Sequence, residues 1–169
     1  FRKVISDHRL SGVNLVLCGP QGWKYEQILH EVDQSGVFKN RIILTGFIDN
    51  EDLASLYSNA LAFVYPSFFE GFGFPPLEAQ SRGVPVIVAD RTSLPEIIGN
   101  SGILINPWKV GQLAEAMREV AENNSLREIL IKKGLENSQK FTWQASAQAT
   151  LNVFESIFAK SKSEKENSN

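Results

Sequence analysis

The sequence predicts an α/β protein built on a doubly wound parallel sheet in three layers, α/β/α. Three observations favour this class. Short apolar runs recur along the chain, as expected of strands that are buried on both faces. Segments with helical periodicity separate these runs. Most of the runs end in loops that contain Gly, Pro, Asp or Asn, which interrupt regular structure.

Composition limits the classes of function. The chain has 169 residues, enough for one domain with its own core. A formal net charge of -2 argues against a nucleic-acid binder, which usually has a concentrated basic face. No apolar run approaches the roughly 18 residues that a membrane span needs. The single cysteine, Cys18, rules out an internal disulfide, argues against a cysteine zinc site and is consistent with a cytoplasmic location.

Five apolar runs predict the strands, at Val13–Cys18, Arg41–Leu44, Leu61–Tyr65, Val84–Ala89 and Gly102–Ile105. Helical segments between them imply parallel pairing, because parallel strands need long crossover connections. Such a doubly wound sheet is Rossmann-like, and its ligands bind beyond the carboxyl ends of the strands. The loops that follow the five runs are therefore the candidate functional surface.

Apolar periodicity and capping residues predict the helices. Periodic segments occur at 23–32, 110–120 and 125–135, and a long last helix is predicted to follow the cap Thr142. Asp49 or Asn50 is suited to cap a short helix before the third strand. Ser93, followed three residues later by Glu96, is typical of a capping box.

The last helices form a predicted C-terminal extension of the sheet domain. Phe141 and Trp143 are expected to pack against other helices rather than to stack on a ligand. From about Lys160 the residues are polar, and their low hydrophobicity predicts a disordered tail over 160–169. Residues 1–159 are thus predicted to be one domain.

The stretch Tyr65–Ala89 carries the strongest signal for a ligand site. It combines a strand end, a Gly/Phe/Pro loop, a helix start and another strand. Gly71 and Gly73 flank Phe72 within the loop. Glycines allow unusual backbone conformations and let a ligand approach bare N–H groups.

A helix start follows this loop. Pro75 and Pro76 fix φ near the helical value, which favours the first helical positions. The N–H groups of Leu77, Glu78 and Ala79 would then be unpaired donors at the positive end of a helix dipole. Such a helix end is an anion site suited to phosphate.

Two carboxylates, Glu70 and Glu78, bracket the loop. Glu78 either complements the helix dipole from the first turn, worth about 0.3–1 kcal/mol, or accepts hydrogen bonds from a ligand diol such as ribose. Glu70 is either a solvated loop acid or a ligand for hydroxyl groups, since a carboxylate beside an anion site is otherwise repelled. Arg91 and Thr92 follow the fourth strand and border the same surface. These residues predict a ligand with both a phosphate and a sugar.

Three motifs here resemble a known family. They are E-G-F-G-F-P-P-L-E with Glu70 and Glu78 eight positions apart, then G-V-P-V, then P-E-I-I-G. Together they resemble the donor-binding half of retaining GT-B glycosyltransferases, the glycosyl transferases group 1 family. The resemblance extends from Val13 to Phe158.

The resemblance implies a role for each matching position. Glu70 would contact the hydroxyls of the donor sugar and be the residue most closely tied to catalysis, while Glu78 would hold the ribose diol. Gly19 would approach the pyrophosphate, and the backbone of Phe47 and Ile48 would border the base. The remaining positions assigned to sugar and phosphates are Gly71, Phe72, Gly73, Phe74, Pro75 and Leu77.

The resemblance also implies which partners are needed. The donor is a nucleotide-diphosphate sugar that acts as a substrate, and no metal or other cofactor is expected because helix dipole and basic residues neutralise the leaving diphosphate. The family's diphosphate-gripping Arg and Lys follow a strand, whereas Arg2 and Lys3 do not. The chain is therefore predicted to be a fragment without its N-terminal acceptor-binding domain, and to be inactive alone. Peripheral membrane association of the full-length enzyme is compatible with this interpretation.

The overall similarity favours GDP-mannose as donor and the synthesis of polysaccharide or glycolipid. Two alternatives stay open. One is a sugar-nucleotide epimerase or phosphorylase of the same two-domain plan; an epimerase is expected to carry its own His/acid pattern in place of G-F-G. The other is a non-catalytic nucleotide-binding or signalling module, although a receiver-like domain would need clustered Asp where Val13–Cys18 ends, and none occurs there.

Overall fold

The structure, a computed structural model, describes residues 1–6, 10, 12–22 and 24–166. Its strands are β1 (Leu15–Cys18), β2 (Ile42–Gly46), β3 (Phe63–Tyr65), β4 (Val86–Ala89) and β5 (Ile103–Ile105). Its α-helices are α1 (Arg2–Ile5), α2 (Tyr25–Asp33), α3 (Asn50–Ser58), α4 (Phe74–Ser81), α5 (Leu94–Ile98), α6 (Val110–Glu122), α7 (Asn124–Ser138) and α8 (Trp143–Glu166). A 3₁₀ helix spans Gly36–Arg41. Each predicted strand and helix is present with shifted ends, and the predicted helix start at Trp23 lies outside the described residues.

The strand pairs are parallel. They form two hydrogen-bonded sheets in the described part of the chain, one of β1 and β2 and one in the order β3–β4–β5. Parallel strands linked by helices confirm the predicted Rossmann-like α/β class. The carboxyl ends of β3, β4 and β5 lie side by side, so the loops that follow them meet at one edge of the sheet.

Strand β4 lies at the centre of the larger sheet, and all of its residues are buried. Val86 and Val88 pack on one face in a cluster with Leu94 of α5. Ile87, which points the other way, packs with Val120 of α6 and residues of α7. Because successive residues of a strand face opposite sides, helices on both faces give the predicted three layers.

The β1–β2 sheet is less covered. Val16 of β1 and Ile43 of β2 are 38% and 44% exposed, and β1 alternates partly buried and exposed residues. The prediction that every strand is buried on both faces is correct for β4 and wrong for β1. An apolar run shows that a strand is buried somewhere, but it does not show how many of its faces are covered.

Helix α8 is capped as predicted, because Thr142 Oγ1 accepts a hydrogen bond of 3.1 Å from the N–H of Ala145. The helix continues past Lys160, where the sequence predicts a disordered tail, and ends at Glu166. Lys and Glu are good helix formers, so a polar composition alone did not mark the helix end; residues 167–169 lie outside the described ranges. Although α8 is long, no helix in the described ranges is apolar enough over a sufficient length to cross a bilayer.

Candidate functional site

Glu70 lies in the loop between β3 and α4, and its carboxylate turns back towards the end of β3. The hydroxyl of Tyr65, the last residue of that strand, donates a hydrogen bond of 2.6 Å to Glu70 Oε1. Burial, the hydrogen bond to Glu70 and the charge of Glu70 together raise the pKa of Tyr65 to about 12. The Tyr65 hydroxyl is therefore protonated at neutral pH and acts as a donor to the carboxylate.

The loop between β4 and α5 holds the backbone of Glu70. Thr92 Oγ1 accepts a hydrogen bond of 3.0 Å from the N–H of Glu70, and Ser93 Oγ donates to the carbonyl oxygens of Glu70 at 3.1 Å and Phe72 at 2.7 Å. Thr92 has a φ of 50°, in the left-handed region that a β-branched residue rarely adopts. Such conformations cost about 1–3 kcal/mol and cluster at functional sites.

Ser93 has a different role from the predicted one. It occupies the position before α5, as expected of a capping residue, but its side chain makes no capping hydrogen bond to that helix. Its Oγ donates to the Glu70 loop instead, which joins the second predicted motif region to the first. The sequence identified the residue correctly and its partner wrongly.

Helix α4 begins at Phe74, with Gly73 before it at a φ of 115°. Pro75 and Pro76 thus occupy the second and third helical positions and contribute no N–H groups. The prediction that the N–H groups of Leu77, Glu78 and Ala79 are free donors is wrong, because with a helix start at Phe74 each of them bonds to the carbonyl four residues earlier. The N–H groups left at the positive end of the helix are those of Gly73, which is buried, and of Phe74, which is exposed.

Glu78 is exposed and lies past the first turn of α4. The alternative in which it complements the helix dipole from the first turn is therefore wrong, since that effect fades within one turn. Burial first, and then the nearby charge of Glu78, raise the pKa of Tyr57 to about 12. The Tyr57 hydroxyl in turn donates a long hydrogen bond of 3.5 Å to the carbonyl of Pro75. In the described ranges no group of three or more His, Cys, Asp or Glu side chains is arranged to hold a metal.

The loops after β1 and β2 lie next to each other. The N–H of Gly19 donates a hydrogen bond of 3.0 Å to the carbonyl of Gly46, so Gly19 has no free amide to offer a ligand. A Cβ on Gly19 would meet no atom within 4 Å, and its φ is 138°. Phe47 is 78% exposed and Ile48 is partly buried. Gly19 and the Phe47–Ile48 backbone therefore border a common open surface.

Aromatic rings tie the loop to the start of α8. Phe72 lies 4.7 Å from Phe74 and 5.9 Å from Phe141 between ring centroids, and Phe74 lies 6.5 Å from Trp143. The sequence predicts that Phe141 and Trp143 pack against other helices. They contact Phe72 of the loop and Phe74 at the start of α4 instead, and Trp143 is 79% exposed. In a separate contact, the ring centroid of Phe68, after β3, lies 4.3 Å from that of Trp108, which follows β5.

A buried polar network fixes α4 from behind. Gln80 is fully buried, and its Nε2 donates to Ser101 Oγ at 2.7 Å. Asn137 Nδ2 of α7 donates to Gln80 Oε1 at 3.0 Å and to the carbonyl of Ile97 at 2.9 Å. Because buried polar groups are stabilising only when they are paired, this network sets the position of the helix that carries Glu78.

Tyr65 was missed by sequence reasoning, which assigned it only to the end of a strand. One feature of the sequence could have indicated that Tyr65 belongs to the site. The apolar run before the Glu70 loop ends in a tyrosine and not in an aliphatic residue. A hydroxyl at the end of a strand needs a partner when it is partly buried.

Comparison with known proteins gives three findings. Residues 3–137 match the family described as glycosyl transferases group 1. The O-antigen chain mannosyltransferase B of Escherichia coli is 38% identical over 140 residues, which are 83% of this chain and 36% of that protein. The serotype-specific mannosyltransferase WbdA of Escherichia coli is 34% identical over 143 residues, 85% of this chain and 17% of that protein.

The structure is also similar to solved structures of other proteins. The structure of a sucrose-phosphate synthase from Thermosynechococcus elongatus matches with a TM-score of 0.77 at 27% identity, covering 94% of this chain and 42% of that protein. The chain thus spans 36% and 17% of the two mannosyltransferases to which it is similar.

Proposed function

Because the chain belongs to the glycosyl transferases group 1 family, we propose that it is the donor-binding part of a retaining GT-B glycosyltransferase. The full-length enzyme transfers mannose from GDP-mannose to an acceptor hydroxyl during synthesis of a polysaccharide or glycolipid. Two relatives that are named mannosyltransferases support the choice of sugar. The observation that carries the proposal is the Glu70 carboxylate, bound by the Tyr65 hydroxyl in the loop that leads into the amino end of α4.

Glu70 is proposed to accept hydrogen bonds from the hydroxyls of the donor sugar. Its backbone is fixed by Thr92 and Ser93, so the carboxylate has a defined place next to the loop. A negative charge at this place opposes phosphate binding unless it engages hydroxyl groups. A sugar attached to a diphosphate satisfies both the carboxylate and the helix end.

The diphosphate is proposed to bind at the start of α4. The N–H groups of Gly73 and Phe74 are donors at the positive end of the helix, and Gly71 leaves the backbone open because a Cβ there would meet no atom within 4 Å. Pro75 contributes by fixing the backbone. Leu77 is buried and its N–H bonds within the helix, so it supports the site by packing and not by direct contact with phosphate. Phe72 holds the loop by packing.

The nucleoside is proposed to extend from α4 towards the loops after β1 and β2. Glu78 is exposed and is suited to accept two hydrogen bonds from the ribose diol. Gly19 would lie close to the pyrophosphate through its missing side chain, and Phe47 and Ile48 would border the base. The reaction needs no metal in this proposal, because the helix dipole and basic residues of the full-length enzyme neutralise the leaving diphosphate.

The test of donor binding is a titration of the chain with GDP, UDP and ADP, followed by amide NMR shifts. Shifts at 71–78 with at least one nucleotide are expected, and the largest with GDP. A Glu78→Gln variant serves as the matched control, since it keeps size but weakens the ribose contact and reduces those shifts. Unchanged spectra at millimolar concentrations of all three nucleotides contradict the site.

The test of catalysis uses the full-length enzyme. Glu70→Ala is expected to abolish mannosyl transfer from GDP-mannose, and retained transfer removes the proposed role of Glu70. Transfer of mannose to inorganic phosphate, or conversion of the donor to its epimer, would instead identify a phosphorylase or an epimerase.

A further inference from the structure

We infer that Tyr65 is a positioning residue for Glu70, whose hydroxyl fixes the orientation of the carboxylate towards the donor sugar. This inference rests on the proposed function and adds a residue to it. It is carried by the hydrogen bond of 2.6 Å from the Tyr65 hydroxyl to Glu70 Oε1.

The donor of this hydrogen bond is on a rigid element. Tyr65 pairs with Val88 of the fully buried strand β4, and its ring stacks on Phe63 at 5.8 Å with an angle of 20° between the planes. The hydroxyl is thus placed by the sheet, whereas Glu70 belongs to a loop. A site whose supporting groups sit on strands is held more precisely than one supported by loops alone.

The backbone of Glu70 is held from the opposite side. Its N–H donates to Thr92 Oγ1 and its carbonyl accepts from Ser93 Oγ. With the backbone fixed at both polar groups and Oε1 fixed by Tyr65, the remaining freedom of the side chain is small. Within the described residues, Oε2 has no hydrogen-bond partner, so it is the oxygen that is open to a sugar hydroxyl.

The two oxygens of Glu70 therefore have different roles. Oε1 is bound to Tyr65, and Oε2 is left in a defined direction. A carboxylate that is oriented before the ligand binds does not lose rotamer freedom at that step. The chemical step requires a more exact alignment of the carboxylate and the sugar than donor binding does. Removal of the hydroxyl should therefore lower kcat more than donor affinity.

The test is Tyr65→Phe in the full-length enzyme, with the donor GDP-mannose. The aromatic ring and its packing on Phe63 remain, and only the hydroxyl is lost. We expect kcat to fall about tenfold, the size of effect for loss of one hydrogen bond to a charged group, with the KM for the donor changed less than about threefold. Unchanged kcat overturns the inference.

The matched control is Tyr57→Phe. Tyr57 belongs to the same apolar cluster and its hydroxyl also has a hydrogen bond, but that bond goes to the carbonyl of Pro75 and not to Glu70. Its kcat is expected to remain within about twofold of the unaltered enzyme. An equal loss in both variants means that any buried hydroxyl of this cluster matters, and the inference fails.

A double variant distinguishes a positioning role of Tyr65, which acts through Glu70, from a purely structural role, which does not. Glu70→Gln removes the charge that Tyr65 orients, so adding Tyr65→Phe to it should reduce kcat by less than twofold further. If Tyr65→Phe lowers kcat by the same factor with Glu70→Gln as without it, the two residues act independently. That result overturns the inference even if Tyr65→Phe is less stable. If Glu70→Ala keeps activity, the proposed function of Glu70 fails; if Glu70→Ala is inactive while Tyr65→Phe is normal, the inference about Tyr65 fails alone.

Discussion

Ser93 donates a hydrogen bond of 2.7 Å from its Oγ to the carbonyl oxygen of Phe72, across the edge of the sheet between two loops. The same Oγ lies 3.1 Å from the carbonyl oxygen of Glu70. One hydroxyl thus holds the loop on both sides of Gly71. The position of the Glu70 loop depends on the loop after β4 as well as on its own sequence.

Ser93→Ala is expected to loosen this loop without unfolding the protein. The variant loses hydrogen bonds that together contribute about 1–2 kcal/mol, and it leaves two carbonyl oxygens for water to satisfy. The proposed mannosyl transfer by the full-length enzyme should fall about tenfold. Ser58→Ala, which removes a hydroxyl bonded to a carbonyl on the exposed face of α3, is the control and should keep full activity. Equal activity of the two variants contradicts this prediction.

Gly73 and Gly71 are expected to respond differently to the same substitution. Gly73 has a φ of 115°, and a Cβ there would lie 2.8 Å from Leu94 Cδ2 in the core. Gly73→Ala should therefore lower the free energy of unfolding by about 2–4 kcal/mol. Chemical denaturation of each variant measures this difference.

For Gly71 the neighbourhood is open, since a Cβ would meet no atom within 4 Å. Gly71→Ala should keep the stability of the unaltered chain within about 0.5 kcal/mol and should weaken GDP binding, because the new methyl group occupies the proposed path of the ligand. Unaltered GDP affinity in Gly71→Ala would count against the proposed position of the diphosphate.

The predictable part of the fold follows from local patterns. The apolar run at β4 is buried on both faces, and Asp49 caps α3 by accepting hydrogen bonds from the N–H groups of Glu51 and Asp52. Both outcomes depend on residues close in sequence, so periodicity and capping rules suffice to predict them. The two-sheet arrangement depends on which strands pair over long distances, which no local pattern contains.

The predictable part of the candidate site is likewise the local part. The Gly/Phe/Pro loop leads into a helix as expected. Because the helix starts at Phe74, the N–H groups at its positive end belong to Gly73 and Phe74 and not to Leu77–Ala79. Helix ends are uncertain by one or two residues, and here that shift changes which groups face a ligand. The contacts of Glu70 with Tyr65 and Ser93 arise from strand order and loop packing, so they could be found only in three dimensions.

Asn137→Ala is expected to destabilise the chain through the buried polar network that holds α4. The substitution leaves Gln80 Oε1 and the carbonyl of Ile97 without the amide that bonds both. Loss of a buried partner costs about 1–3 kcal/mol, which lowers the Tm by roughly 2–4 °C per kcal/mol for a domain of this size. Asn59→Ala, at the exposed end of α3, is the control and should change stability by less than about 0.5 kcal/mol. Equal shifts in Tm would show that the network does not stabilise α4.

Tyr65 predicts a dependence of stability on alkaline pH. Its pKa is raised to about 12 from an ordinary value near 10, so the folded chain binds the phenolic proton more tightly than the unfolded chain. The contribution of Tyr65 to stability is therefore fully present below pH 10 and is lost as pH rises from about 10 to about 12. Tyr65→Phe should lose less stability over this range than the unaltered chain, as measured by denaturant unfolding at successive pH values. Tyr57 titrates in the same range and remains in both proteins.

A titration of Tyr65 separates two causes of its raised pKa, burial and the interaction with Glu70. Tyrosinate absorbance, recorded in a Tyr57→Phe background, follows Tyr65 with little overlap from the other raised tyrosine. Glu70→Gln removes the hydrogen bond to a charged oxygen and the charge itself, while burial remains. The Tyr65 pKa should therefore fall towards, but not reach, its ordinary value. A pKa that is the same with Glu70 and with glutamine would mean that burial alone raises it, and that the hydroxyl does not depend on the carboxylate.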